Sequence, residues 1–278
     1  MLAKTNISWN ISNDHCNYYL WYREVSSMRK DVTTEGVGIQ QQSFLYSVIL
    51  HLLPGVLTAV LFVMAAPILV SLGYPSNFAF LLAGLFVLVP FELGFLFYQG
   101  KKRNGALSLD GIVLYREPMS LTSYVLFAVV LLLYGNFILV VVYPPIAQML
   151  MKTLFFWLPD WFFLSLSATY PKSVLLMTAL LGLVVNGFVA PITEELYFRG
   201  YLLPRISRFK AWAPVFDGVL HSCYHFWMPW QVPGLLLGLL PAAFVVWWKK
   251  NIYLGMIIHV IGNTAGSILT LIAILSLS

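Results

Sequence analysis

The chain has 278 residues, of which 60% are hydrophobic and only 10% are charged, and its mean hydropathy is +0.82. Because soluble domains carry about 25% charged residues, this composition excludes a soluble globular domain and predicts an integral membrane protein. The formal charge of +5 does not indicate nucleic-acid binding, since the basic residues are scattered over short loops. The two cysteines, Cys16 and Cys223, lie far apart, so no disulfide framework is predicted.

A polar N-terminal segment, residues 1–43, is expected to lie outside the membrane. The apolar runs that follow mostly reach the roughly 20 residues that a helix needs to cross a bilayer, although the fifth and sixth are short. Long runs of this kind favour helices over a β-barrel. The sequence therefore predicts an all-α, polytopic transmembrane bundle of about seven spans, at residues 44–72, 77–99, 122–149, 173–203, 212–228, 231–248 and 252–276.

Two connecting segments have mixed composition. Residues 104–121 alternate polar and apolar side chains and are expected at the membrane interface. Residues 150–168 are rich in Phe and Trp, which predicts an interfacial helix or a re-entrant piece. An eighth span within residues 150–168 is the alternative, and it would move the C-terminus to the other side.

The basic residues are divided unequally between the two sides of the predicted bundle. With seven spans, the N-terminal segment and the loops after the second, fourth and sixth spans share one side. The other side carries only Lys152 and Lys172. The positive-inside rule therefore predicts a cytoplasmic N-terminus. The basic residues on the N-terminal side are Lys4, Arg23, Arg29, Lys30, Lys101, Lys102, Arg103, Arg116, Arg205, Arg208, Lys210, Lys249 and Lys250.

The fourth apolar run contains three charged residues, Glu194, Glu195 and Arg199. Charges inside a membrane are costly and usually functional, and adjacent carboxylates oppose each other's ionisation. Glu195 and Arg199 are four residues apart, so they can pair on one helix face. A functional site is the first hypothesis, and a buried ion-pair cluster that only fixes helix packing is the alternative.

Other runs contribute polar residues at a similar depth. At 1.5 Å per residue, Glu194 lies roughly 16 Å from the basic residue that ends its run, and His259 lies roughly 14 Å from Lys250. His225 lies deeper, at most roughly 22 Å from Lys210. These groups are expected to share one layer that opens toward the cytoplasm. Further polar residues in the runs are Glu92, His51 and His221, for which local or supporting roles are expected, and Asp217, expected to be solvated or to cap a helix.

These groups are suited to hydrolysis by an activated water molecule. A carboxylate beside a histidine can take a proton from water. An imidazole and an amide, as at His259 and Asn263 on one helix face, can donate to the oxyanion of a tetrahedral intermediate. No cofactor is expected, although two histidines and two carboxylates are also possible ligands for a divalent metal.

Three motifs resemble those of one protein family. Glu194-Glu195-Leu-Tyr-Phe-Arg199 resembles the Glu-Glu-x-x-x-Arg motif of the CPBP family, which includes CAAX prenyl endopeptidases and bacteriocin-processing or immunity proteins. The segment from His259 to Asn263 is similar to its closing His-x-x-x-Asn motif. In the middle motif, an aromatic residue followed four positions later by a histidine, His225 fits the histidine and His221 takes the aromatic position; which of the two is catalytic stays open. The resemblance covers about residues 173–265.

The resemblance implies an intramembrane glutamate-type endopeptidase whose catalytic core is residues 173–276. Residues 44–172, predicted from composition to hold the N-terminal spans and interfacial segments, are not covered by the resemblance. Its partners would be the lipid bilayer and a peptide or protein substrate in or at the membrane, with no nucleic acid. A non-enzymatic immunity protein that keeps the polar cluster for packing is the alternative, and a transporter is disfavoured because no repeat relates the two halves. The catalytic residues would be Glu194, His225, His259 and Asn263, supported by Glu195, Arg199 and His221.

Overall fold

The computed structural model describes residues 39–164 and 166–277. Most of these residues are helical, and among them there is no strand beyond one isolated bridge between Arg116 and Asn251. Most of the predicted N-terminal segment 1–43, including Cys16, lies outside these residues. Residues from Gln41 onward form one compact unit. Its helices are α1 (Phe44–Ser71), α2 (Ser76–Asn104), α3 (Leu121–Thr153), α4 (Lys172–Arg205), α5 (Ala213–Cys223), α6 (Pro229–Lys249) and α7 (Ile252–Leu275).

Six of these helices are long and apolar enough to cross a membrane, and α5 is the exception. With 11 residues, α5 is about 16 Å long, or about half of the roughly 30 Å hydrocarbon core. The prediction of a helical membrane bundle of about seven spans is confirmed, with the fifth apolar run forming a short internal helix. In the described part of residues 150–168, the end of α3 and one 3₁₀ turn (Asp160–Phe163) occur, and no further spanning helix.

The bundle has two distinguishable ends. At the first, which we call the basic end, the Gln42 amide donates to the Arg205 carbonyl, 2.9 Å, and the Ile252 amide donates to the Tyr115 carbonyl, 2.8 Å. At the opposite or distal end, Lys172 Nζ donates to the Leu275 carbonyl, 3.1 Å. The loops after α2, α4 and α6 therefore lie together, as the charge distribution predicted, and the cytoplasmic location of this end stays a prediction.

Four stretches of the long helices adopt the wider π-helical turn, and each ends two residues before a proline. Proline has no amide hydrogen and its ring clashes with the carbonyl four residues earlier, so the preceding turn widens. Such turns often occur at functional sites. The pairs are Gly84–Leu88 with Pro90, Ile138–Val142 with Pro144, Val185–Val189 with Pro191, and Glu195–Leu202 with Pro204.

Candidate functional site

Glu194 lies where α4 passes from an α-helical turn, Ala190–Glu194, into the wide turn that begins at Glu195. Its side chain is buried within the bundle and 7% exposed. One carboxylate oxygen accepts a hydrogen bond from the Tyr224 hydroxyl, 2.7 Å. The other lies 3.3 Å from His221 Nε2 and 3.8 Å from His259 Nε2. Three side chains from α5, the turn after it and α7 thus surround this carboxylate.

Glu195 holds His259 from the other side of the imidazole. Its Oε1 lies 3.2 Å from His259 Nδ1 and 3.5 Å from Arg199 Nη1. The His259 ring therefore lies between two carboxylates, with Nδ1 toward Glu195 and Nε2 toward Glu194. Of the predicted layer of two carboxylates and two histidines, Glu194, Glu195 and His259 lie together, and His225 does not contact either carboxylate.

Arg199 connects Glu195 to two residues of α5, Asp217 and His221. Its guanidinium is only 2% exposed, and its Nε lies 3.4 Å from Asp217 Oδ2. Arg199 Nη1 also contacts His221 Nδ1. Because arginine only donates, His221 Nδ1 is the acceptor, which places the ring hydrogen on Nε2, facing Glu194. Arg199 thus orients His221 so that it donates to the Glu194 carboxylate.

Asp217 is fully buried between Arg199 and His51. Besides Arg199, it faces His51 of α1, whose Nε2 lies 3.4 Å from Asp217 Oδ1. The other ring nitrogen of His51 donates to the Ser47 carbonyl, 2.7 Å. Arg199 thus lies between the carboxylates of Glu195 and Asp217, and His51 links Asp217 to α1. The expectation that Asp217 is solvated or caps a helix is wrong, because α5 turns it into the bundle toward Arg199.

The two neighbouring histidines occupy different places. His221 contacts Glu194, whereas His225 Nδ1 donates to the His221 carbonyl, 3.0 Å, and its ring packs on Tyr224 and Trp227. The family resemblance favours His225, which fits the histidine of the middle motif, and the fifth apolar run was expected to continue as one span to residue 228. In fact α5 ends at Cys223, so His225 lies in the following turn. The ring stacked on Phe198 beside the carboxylates is that of His221, 4.2 Å between centroids.

Tyr224 is the contact residue that the sequence analysis missed. It is fully buried, and its hydroxyl makes the shortest hydrogen bond to Glu194 among the described contacts. A tyrosine in an aromatic apolar run has no distinguishing signal, because its role depends on a turn that follows α5. Its position next to a histidine in a run with polar residues was the available hint.

Asn263 lies one turn beyond His259 on α7 and donates to the Asn186 carbonyl of α4, 3.0 Å. It also lines an open cavity of about 400 Å³ formed by residues of α2, α3, α4, α6 and α7 and by Leu166. The predicted pair of His259 and Asn263 is thus placed between the carboxylates and this cavity. Within the described residues, no group of three or more His, Cys, Asp or Glu side chains is arranged to hold a metal ion.

The fold and this layer define a multi-pass helical membrane protein with a buried acid–histidine–amide site. Residues 176–265 match a protein-family model described as type II CAAX prenyl endopeptidase, Rce1-like. The match covers about a third of the chain and includes every site residue from Glu194 to Asn263. The resemblance to the CPBP and CAAX proteases is confirmed, and the match supports a CAAX-type intramembrane protease. We found no match among the curated proteins or among the solved structures.

Proposed function

We propose that this protein is an intramembrane endopeptidase in which Glu194 activates a water molecule for attack on a peptide bond. The observation that carries the proposal is the position of Glu194, buried within the membrane bundle with Tyr224 at 2.7 Å, His221 at 3.3 Å and His259 at 3.8 Å. A buried carboxylate among such partners has the setting of a general base.

In the proposed reaction, Glu194 takes a proton from water while the hydroxide oxygen bonds to the peptide carbonyl carbon. The carbonyl oxygen becomes an oxyanion, which the His259 imidazole and the Asn263 amide stabilise by donating hydrogen bonds. The tetrahedral intermediate then collapses, the carbon–nitrogen bond breaks, and Glu194 returns its proton to the leaving amine. Each carboxylate and imidazole is thereby restored for the next cycle.

The remaining residues position these groups. His221 and Tyr224 hold the Glu194 carboxylate in one rotamer, and Arg199 holds His221. Glu195 positions the His259 ring. We assign the histidine role beside Glu194 to His221 rather than His225, because the hydrogen bond to the carboxylate requires direct contact.

The test compares Glu194→Gln with Glu117→Gln, the same change at an exposed carboxylate outside the bundle. Purified protein in detergent or vesicles is assayed against a peptide library by mass spectrometry. We expect Glu194→Gln to lower kcat by about 100- to 10,000-fold, as for loss of a general base, and Glu117→Gln to retain activity. Equal activity of the two variants would remove Glu194 from the mechanism.

Chelation tests whether a divalent metal takes part. The protein is treated with EDTA, elemental analysis verifies that metal has been removed, and cleavage is then assayed. We expect the activity to be kept, because the proposed steps use side chains alone. Activity that is lost on chelation and restored by one metal would overturn the proposed water activation by Glu194.

A further inference from the structure

We propose that His51 of α1 is a positioning residue of the proposed active site, and that it acts on the His221 ring through the two side chains that lie between them. The inference rests on the proposed peptidase function. It extends the site to a helix outside residues 176–265, the part of the chain that the family model matches. His51 therefore adds a requirement that those residues alone do not contain.

One turn of α1 packs against the parts of the chain that carry the site. Pro54 has no amide hydrogen, so the Leu50 carbonyl, four residues earlier, receives no hydrogen bond from it. The Tyr197 hydroxyl of α4 donates to this carbonyl instead, 2.9 Å. Gly55, next to Pro54, packs against the backbone of Tyr224 in the turn after α5. These contacts hold α1 at one depth beside α4 and α5.

The His51 ring is directed from this turn toward α5. It is fully buried, and its Nδ1 lies 2.7 Å from the Ser47 carbonyl and 3.3 Å from the Ser47 hydroxyl. Both contacts are made one turn earlier on the same helix, so α1 itself fixes the orientation of the ring. Nε2 then faces outward, 3.4 Å from Asp217 Oδ1. The position of α1 therefore determines where the Asp217 carboxylate is held.

The Asp217 carboxylate in turn fixes the guanidinium of Arg199. Its Oδ1 faces His51, and its Oδ2 lies 3.4 Å from Arg199 Nε. At the other edge of the guanidinium, Nη1 lies 3.5 Å from Glu195 Oε1 and contacts His221 Nδ1. Because the guanidinium is a rigid plane, the position of Nε fixes the direction in which Nη1 points. A shift of the Asp217 carboxylate therefore turns Nη1 away from His221.

Loss of the His51 contact releases one oxygen of Asp217. Carboxylates pair most strongly with arginine when both oxygens bind the guanidinium. Asp217 is then expected to rotate until both oxygens face Arg199. Nη1 leaves His221, whose Nδ1 loses the donor that keeps the ring hydrogen on Nε2. The hydrogen bond from His221 to Glu194 is lost with it.

A phenylalanine ring also connects the two histidines. Phe198 lies 5.6 Å from His51 and 4.2 Å from His221, measured between ring centroids. A variant that empties the His51 position would loosen Phe198 and would disturb His221 through packing alone. The test therefore uses planar amide side chains, which replace more of the ring than alanine does.

Two amide variants separate the contact with Asp217 from the packing. The glutamine amide nitrogen is as many bonds from Cα as His51 Nε2, and the asparagine amide nitrogen as many as Nδ1. Thus His51→Gln keeps a donor facing Asp217, and His51→Asn keeps only the Ser47 contact. We expect His51→Asn to lower kcat by about 10-fold or more, with KM changed less, as for loss of one hydrogen bond to a charged group. His51→Gln should keep most of the activity, and equal kcat of the two variants would overturn the proposal.

The ring hydrogen of His221 tests the same proposal without a peptidase assay. The full chain is labelled with ¹⁵N-histidine, and the His221 signals are identified by their loss in His221→Asn. We expect the chemical shifts of a hydrogen-bearing Nε2 and a bare Nδ1 in the wild type and in His51→Gln, and a changed pattern in His51→Asn. An unchanged pattern in folded His51→Asn would overturn the proposal.

A second variant covers the case in which His51→Asn does not fold. Asp217→Glu keeps the carboxylate but moves it along the same link, so it should change the His221 pattern as well, and an unchanged pattern would again refute the positioning role. Folding is checked by thermal unfolding of each variant in detergent. Because these spectra need no activity, failure of the peptidase proposal is detected separately by Glu194→Gln.

Discussion

A glycine far from the catalytic motifs provides a sharp test of the site geometry. Gly55 of α1 packs against the backbone of Tyr224, whose hydroxyl donates to Glu194. A Cβ at Gly55 would overlap the Tyr224 carbonyl oxygen and lie 2.9 Å from both the carbonyl carbon and Cδ2 of Tyr224. Gly55→Ala is therefore expected to displace Tyr224.

The size of the effect follows from the contact distances. Relief of this overlap moves Tyr224 by about 1 Å, which takes the 2.7 Å hydrogen bond to Glu194 beyond hydrogen-bonding distance. A hydrogen bond to a charged group contributes about 1.5–3 kcal/mol. At 1.36 kcal/mol per tenfold, Gly55→Ala and Tyr224→Phe should each lower kcat by about 10- to 150-fold.

The assay is cleavage of a defined peptide by purified variants, with thermal unfolding measured in parallel. Gly94→Ala is the matched control, because Gly94 lies within a spanning helix, α2, and its added Cβ would meet nothing within 4 Å. Tyr224→Phe keeps the backbone in place and so separates loss of the hydroxyl from loss of packing. If Gly55→Ala cleaves as fast as Gly94→Ala, the packing of α1 against Tyr224 does not control the site.

Three further predictions, made with four substitutions, test the other contacts. His221→Ala should lower kcat by about 100-fold, within the range for acid–base groups, and His225→Ala should lower it by less. A larger loss for His225→Ala would instead make His225 the catalytic histidine. Asp217→Asn removes one partner of a buried ion pair and should destabilise the protein by about 3 kcal/mol, seen as a lower Tm in detergent; an unchanged Tm contradicts the pairing with Arg199. Asn251 caps α7 and donates hydrogen bonds to the Glu117 carbonyl and to Tyr124 Oη, 2.7 Å each. Asn251→Ala should therefore lower the free energy of unfolding by about 2–3 kcal/mol, at about 1 kcal/mol per hydrogen bond. If Asn251→Ala is as stable as the control Asn104→Ala, a change at an exposed position, these contacts do not stabilise the protein.

The amino-acid sequence alone predicts the features that depend on residues close together in the chain. Runs of apolar residues are long because a helix that crosses lipid must satisfy its own backbone, so the helical membrane class follows from composition and run length. The pair Glu194 and Glu195 stands out because charges in such runs are costly. Spacing of four residues placed Glu195 with Arg199, and the structure has that pair at 3.5 Å.

Helix ends were the first feature that sequence reasoning misjudged. The fifth run has no charged residue between Asp217 and its end, so it reads as one continuous span. Its helix nevertheless ends at Cys223, and the turn that follows brings the Tyr224 hydroxyl to Glu194 while His225 packs aside. Apolarity measures whether a segment is buried and carries no information on where the backbone turns.

The sequence by itself determined the membrane class, the charge sorting of the loops and the residue types available for chemistry, because these depend on composition and on spacing along one helix. Only the tertiary structure decided that His221 contacts Glu194 and that Asp217 pairs with Arg199 and His51. Each of these depends on the relative rotation and depth of different helices, and those are set by packing between residues far apart in the chain.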